Sequence, residues 1–306
     1  MDRHNEWRKQ VRLLLQILPF VSRENCFALK GGTAINLFVR DLPRLSVDID
    51  LVYLPADDRE TALAETGAAL GRVADALEGA LPDIRVLRNY EAKSDALRIV
   101  ASSRDATVKV ELSPVLRGTV LEPAVVPVTP AVEEEFGFAE INMVAMEDLY
   151  AGKLCAALDR QHPRDWFDVM LLLESKGIDD ALRKVFLIYL ISHGRPMEEL
   201  LAPNWRLQKS LFDSEFVGMT RRNVTLHELH EAAVSALSKI LDGMRREEKA
   251  FLCSVYECAP DWSLLALPGV EMLPAVKWKL RNIQRMSVEK RTTSLERLKT
   301  LLNFAE

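Results

Sequence analysis

The alternation of apolar and polar positions divides the chain into a mixed first part and a helical second part. Residues 7–19 (WRKQVRLLLQILP) space their apolar side chains as an amphipathic helix, and 26–29 form a short apolar run typical of a buried strand. Lys30, Gly31, Gly32 and Thr33 make a turn before a helix-favouring stretch, 34–39, which Pro43 stops. From 46 to 54 (SVDIDLVYL) polar and apolar positions alternate with period two, predicting a strand with one covered face. A long helix is expected over 60–81, with Asp57 and Asp58 as candidate caps. Strands are predicted over 84–90, 96–101 and 107–112. Pro114, Gly118, Pro123, Pro127 and Pro130 then mark an irregular or edge-strand segment, and from Val144 nearly every segment has helical periodicity. The fold class is α+β: a mixed sheet with helices over 1–130, followed by an all-helical part over 131–306.

Candidate chemistry sits in the strand SVDID. Side chains two apart on a strand share a face, so Ser46, Asp48 and Asp50 project one way and Val47, Ile49 and Leu51 the other. Two such carboxylates repel each other, and a divalent cation relieves that penalty. Mg²⁺, with Mn²⁺ as an alternative, suits an all-oxygen donor set. In 107–112 (TVKVEL), Thr107, Lys109 and Glu111 share a face, and if this strand lies beside the first, Glu111 becomes a third carboxylate. Acids on adjacent strands are the usual equipment for two metal ions that bridge nucleotide phosphates. Gly31 and Gly32, lacking Cβ atoms, let backbone N–H groups approach a phosphate closely, and Thr33 adds a hydroxyl. Each signal alone is weak. In this order (glycine turn, helix, then a strand carrying DxD) they point to a nucleotidyltransferase-type site with a nucleoside triphosphate as substrate.

Composition changes the picture in three places. Among 306 residues, 40 Lys and Arg face 45 Asp and Glu, a net charge of −5, which excludes a protein that merely coats nucleic acid. Locally the balance reverses: residues 277–299 hold eight cations (Lys277, Lys279, Arg281, Arg285, Lys290, Arg291, Arg297, Lys299) against Glu289 and Glu296. A solvated helix face and an RNA-tracking surface, extended by Arg206, Lys209, Arg221 and Arg222, both fit that run. Four scattered cysteines without a CxxC pair read as reduced core residues. The longest apolar run, 185–191, is far below a membrane span and the polar start carries no secretory signal, so the expected setting is cytoplasmic, with no membrane partner. His227 and His230 lack a third ligand, and Trp205, Trp262 and Trp278 read as packing residues.

The segment KGGTAINLFVRDLPRLSVDIDL resembles the signature of the AbiEii/AbiGii nucleotidyltransferase toxins, the toxin halves of type IV toxin–antitoxin pairs that act in phage abortive infection; the mycobacterial MenT toxins are similar. A second stretch, EDLYAGKLCAALDRQHPRDWFDVMLL, is similar to the family's downstream motif of a lysine followed by R-D-x-x-D. The resemblance covers about 27–173. It implies that Asp48, Asp50 and Glu111 are metal ligands, that Gly32 and Thr33 line the triphosphate, and that Ser46 lies close to the reacting phosphate. It further implies that Lys153 binds nucleotide phosphates and that Asp165 is the acid of the second motif; Asp168, one turn later on the helix, reads as structural. Thr33 stands where many relatives have serine, and Glu111 where many have aspartate. Small residues around Lys153 (Ala151, Gly152, Ala156, Ala157) are expected to pack that helix against the sheet domain, and Asp165 to double as a helix cap. The implied activity is Mg²⁺-dependent transfer of nucleotides to RNA, with the tRNA 3′ end as acceptor and translation blocked as a result. A cognate antitoxin is the implied partner, and the helical part is expected to complete the site and contact the acceptor. Two other readings stay open: transfer to a small molecule or protein hydroxyl, and a non-catalytic nucleotide- or RNA-binding regulator.

Overall fold

The computed structural model describes residues 3–93, 96–206 and 208–304, with side chains from Glu6 onward. The chain divides into two units, Met1–Ala145 and Met146–Glu306.

In the first unit the strands are β1 (Phe27–Lys30), β2 (Ile49–Tyr53), β3 (Arg85–Arg88), β4 (Arg98–Ser102), β5 (Thr107–Leu112), β6 (Ala124–Pro127) and β7 (Glu140–Met143). They form one sheet in the order β3-β4-β5-β2-β1-β7-β6. β2 runs antiparallel to β1 and parallel to β5, and β7 runs parallel to β1. Leu29, Ile49, Leu51, Ile99 and Val110 are fully buried, so the period-two patterns do mark covered faces. Helix α1 (Arg3–Val21) adds Val11, Leu14, Ile17 and Leu18 to this core. Helix α3 (Arg59–Ala80) adds Ala69, Leu70, Val73 and Leu77, and its N-cap is Asp58, whose Oδ1 accepts from the Glu60 and Thr61 amides. Asp57, the other candidate cap, instead accepts a 2.6 Å hydrogen bond from the Tyr53 hydroxyl. The remaining helices of this unit are α2 (Gly31–Thr33), which continues as a π-helical segment (Ala34–Val39), α4 (Asn89–Ala92) and α5 (Pro130–Phe136).

Two sequence expectations need correction. The strand predicted from Ser46 begins at Ile49, because β1 turns away at Gly31 and leaves residues before Ile49 without an antiparallel neighbour. The change to helix, expected at 130, falls at Ala145, because α5 and β7 belong to the sheet unit. β7 alternates (EINM, with Ile141 and Met143 buried) but is only four residues long, too short for periodicity to mark.

The second unit is helical: α6 (Met146–Arg160), α7 (Pro163–Glu174), α8 (Asp180–Ser192), α9 (Met197–Leu201), α10 (Lys209–Glu215), α11 (Leu226–Gly243), α12 (Arg246–Tyr256), α13 (Pro274–Gln284) and α14 (Val288–Leu301), with two short 3₁₀ turns. α6 packs on α8, and α7 on α11. Gly152 faces the Tyr189 ring of α8, where an added Cβ would sit at 3.4 Å. That small residue lets the two helices approach closely inside this unit. Buried charge is paired: Arg183 Nε donates to Glu248 at 2.9 Å. No helix among the described residues is long and apolar enough to cross a membrane.

Candidate active site

The site in the first unit begins where β1 ends. At Gly31 the chain takes a left-handed φ of +79°, open to glycine and strained for other residues, and a Cβ there would collide with the Asp50 carboxylate. A Cβ on Gly32 would lie 2.6 Å from Ser46 Oγ and 2.7 Å from Arg44 Nη2. Both glycines are therefore required by close approach: the turn is roofed by an acid, a hydroxyl and a guanidinium. Thr33 Oγ1 lies 3.4 Å from Ser46 Oγ, so the two hydroxyls stand side by side. Buried Asn36 holds the loop in place. Its amide donates to the Gly32 carbonyl at 2.7 Å, and its Oδ1 accepts from the Arg44 amide at 3.2 Å.

Strand register gathers the charged residues. Asp50 lies opposite Glu111 across the parallel β2–β5 pair, as required for Glu111 to join the DxD acids. The same row continues outward: Lys30 is opposite Asp50 on β1, and Arg98 opposite Glu111 on β4, with Arg98 Nη1 at 3.9 Å from Glu111 Oε2. Directly opposed residues share a face, so the row reads cation, acid, acid, cation across four strands. Asp48 lies two residues before Asp50, in the extended approach to β2. Among the described residues, no three His, Cys, Asp or Glu side chains are gathered closely enough to hold a metal ion. The donor chemistry nevertheless fits a hard divalent cation: Asp50 and Glu111 are in register, Asp48 is two residues from Asp50, and every donor is oxygen.

Arg44, Asn36, Lys30 and Arg98 are the residues that sequence reasoning missed. Arg44 is only 4 % exposed and donates from Nη1 to the Leu45 carbonyl. Its sequence signal was its place two residues before Ser46, read only as part of a helix-breaking segment.

The second unit holds a buried ionic centre. Lys153 Nζ on α6 lies 2.8 Å from Asp165 Oδ1 and 3.0 Å from Asp168 Oδ2, both on α7. Arg160 adds a second cation, its Nε 2.6 Å from Asp165 Oδ2. Burial alone would raise the Asp165 carboxyl, but the Lys153 ammonium and Arg160 guanidinium overcome it and hold the acid well below the usual carboxylate range. Lys153 is thus neither solvated nor a free-swinging point charge, and Asp168, fully buried, shares it with Asp165. The α7 cap is not Asp165 but His162, whose Nδ1 accepts from the Arg164 amide, with Pro163 in the first turn.

The weaker signals also resolve. All four cysteines are free, and burial pushes the Cys26 thiol up to about 11, which disfavours its thiolate. Cys26 and Cys258, read as core, are only partly buried. His227 pairs with Glu231, while His230 packs edge-on against Trp205, which also meets Trp166. Trp262 packs on Phe251. Trp278 departs from its expected packing role, being 45 % exposed. Lys279 leaves the basic surface: it is buried and donates at 2.7 Å to the His193 and Arg195 carbonyls.

A glycine turn leaving the first central strand, roofed by a hydroxyl and facing carboxylates on neighbouring strands, defines a nucleotidyl-transfer domain. Residues 12–282 match the nucleotidyl transferase AbiEii toxin family of type IV toxin–antitoxin systems, and the chain belongs to that family. It is a nucleotidyltransferase, and membership implies an antitoxin partner. The fold is similar to that of MenT4, a nucleotidyltransferase toxin from Mycobacterium tuberculosis H37Rv, with a TM-score of 0.60 at 16 % identity over 90 % of this chain and 94 % of that one. No curated protein sequence matches the chain.

Proposed function

We propose that the chain transfers a nucleotide from a nucleoside triphosphate to RNA, with the 3′ end of tRNA as acceptor, and thereby blocks translation. The observation that carries this reading is the register of Asp50 against Glu111 with Gly31 pressed on Asp50, which sets two acids beside a glycine turn. In the reaction an acceptor hydroxyl forms a bond to the α-phosphorus as the bond to pyrophosphate breaks. Asp48, Asp50 and Glu111 would hold the divalent cation, Mg²⁺ or Mn²⁺, which supplies neutralisation of phosphate charge when bound. The turn amides at Gly31 and Gly32 and the hydroxyls of Thr33 and Ser46 bind the triphosphate, and Arg44 adds a fixed positive charge above Gly32. Their contribution is positioning and preorganised charge, with little left to reorganise when the bond changes. Lys153 is the proposed phosphate ligand of the helical unit, with Asp165 and Asp168 orienting its ammonium group. We read the setting as cytoplasmic, where both proposed substrates occur.

The test is one incubation of the protein with total RNA, Mg²⁺ and each labelled triphosphate in turn, resolved on a denaturing gel. Label on a tRNA-sized band is expected. Asp48→Ala should abolish it, and should relieve growth inhibition on expression, while leaving the circular dichroism spectrum and melting temperature unchanged. Label on a small compound or a protein band with tRNA blank would overturn the acceptor, and full toxicity of Asp48→Ala would overturn the chemistry.

A further inference from the structure

Helix α13 has two unlike faces. Ala275, Val276, Lys279 and Ile283 are buried, and the Lys279 bonds to the two carbonyls at the end of α8 hold the helix in one orientation. The opposite face carries Lys277, Trp278 and Arg281 and is continued by Arg285 at the C-cap, all exposed. The three cations recur every four residues, so they form one stripe that advances about 6 Å per step along the axis. That step is comparable to the distance between successive phosphates of a nucleic-acid strand. The indole of Trp278, at 45 % exposure, stands beside the stripe, one residue after Lys277 and three before Arg281.

Charge is uncompensated on this face. No acidic residue occurs from Met272 to Val288. Among the described residues none of Lys277, Arg281 and Arg285 has an ion pair, whereas Arg8, Arg72, Arg88, Arg195 and Arg222 each do. On α14 the cations are diluted: Glu289 precedes Lys290 and Glu296 precedes Arg297. An exposed aromatic ring flanked by regularly spaced, unpaired cations is the combination that binds single-stranded nucleic acid, the ring stacking on a base while the cations track the backbone. A solvated face needs no such ring, and leaving an indole in water is unfavourable.

We propose that this face of α13 is a docking surface for single-stranded RNA, with Trp278 as the base-stacking platform and Lys277, Arg281 and Arg285 as phosphate contacts. The proposal rests on the RNA reading of the acceptor, but its test needs no turnover. The full-length protein is titrated, without nucleoside triphosphate, into a fluorescein-labelled single-stranded RNA of about twenty nucleotides, and anisotropy is read at several salt concentrations. The triple variant K277Q/R281Q/R285Q should weaken binding at least tenfold at low salt and reduce the slope of log affinity against log salt by about 2, at roughly 0.7 per phosphate contact. Trp278→Ala should lose roughly five- to a hundredfold, the range expected for one stacked base, and Trp278→Phe should keep most of the affinity. Long-chain polyphosphate, which has no bases, should respond to the triple variant and not to Trp278→Ala. All four side chains are exposed, so the melting temperatures should match wild type.

RNA affinity and salt slope unchanged in the triple variant would overturn the surface. Equal responses of RNA and polyphosphate to Trp278→Ala would overturn the stacking role. If the variants bind as predicted while no nucleotide is ever incorporated, the proposed activity fails and this surface stands. If incorporation into tRNA is found and the variants bind and react as wild type does, the surface fails and the activity stands.

Discussion

At the scale of single residues, the decisive positions are those where an atom cannot be added. Gly31 combines a left-handed backbone with an acid pressed against its α-carbon, so Gly31→Ala carries both a conformational cost of about 1–2 kcal/mol and a displacement of Asp50. Nucleotide incorporation should fall by roughly a hundredfold, the scale of loss for a 1 Å misplacement of a reacting group, with only a modest drop in melting temperature. Asn36→Leu tests the support beneath the turn. It keeps the volume but strips the Gly32 carbonyl and the Arg44 amide of their buried partner, at about 1–3 kcal/mol for each group left unpaired. Urea denaturation reads that cost, and an unchanged midpoint would mean that the turn stands without its amide prop. The close approaches at Gly31 and Gly32 were foreshadowed in the sequence because the absence of a Cβ is a local signal, whereas Ser46 was singled out through the family resemblance. Arg44 and Asn36 were not, since their roles depend on how the chain doubles back after Pro43.

At the scale of elements, helices α6 and α7 are clamped by the buried Lys153 centre. Lys153→Met would leave Asp165 and Asp168 buried without their shared cation, and removal of one partner from such a centre typically costs about 3–5 kcal/mol. The expected fall in melting temperature is on the order of 10 °C, read by calorimetry. The acid limb of stability has a definite sign. Asp165 has a lower pKa folded than unfolded, so its contribution is fully present above about pH 4, the ordinary carboxylate value, and is lost as pH falls below it. Asp165→Asn should therefore be less stable at neutral pH and show a flatter decline between about pH 4 and 2. A decline as steep as in wild type would remove Asp165 from the acid-sensitive set. Periodicity read α3 and β5 closely because Asp58 and the alternation TVKVEL act within their own segments. It placed the start of β2 three residues early, because where a strand begins depends on the neighbour it pairs with. The opposition of Asp50 to Glu111 was foreseeable only as a condition, since nothing local to either strand says that they are neighbours.

At the scale of the whole molecule, the net charge of −5 conceals a division of labour. Acids are matched to cations across the sheet row and in the Lys153 centre, while the α13 stripe is left unmatched. Raising the salt concentration should weaken RNA association with the wild-type chain well before it alters the melting temperature, because screening acts on exposed charges first. Coincident salt dependence of the two would place the sensitive charges inside the fold instead.

The parallel pairing of Leu29 with Met143 has a temporal meaning as well. During synthesis the strand that leads into the phosphate turn emerges early, yet one of its two flanking partners is made more than a hundred residues later. Until then that edge is bare and the loop to be closed is long. A growing chain on the ribosome thus completes the frame around this turn only once β7 has left the exit tunnel.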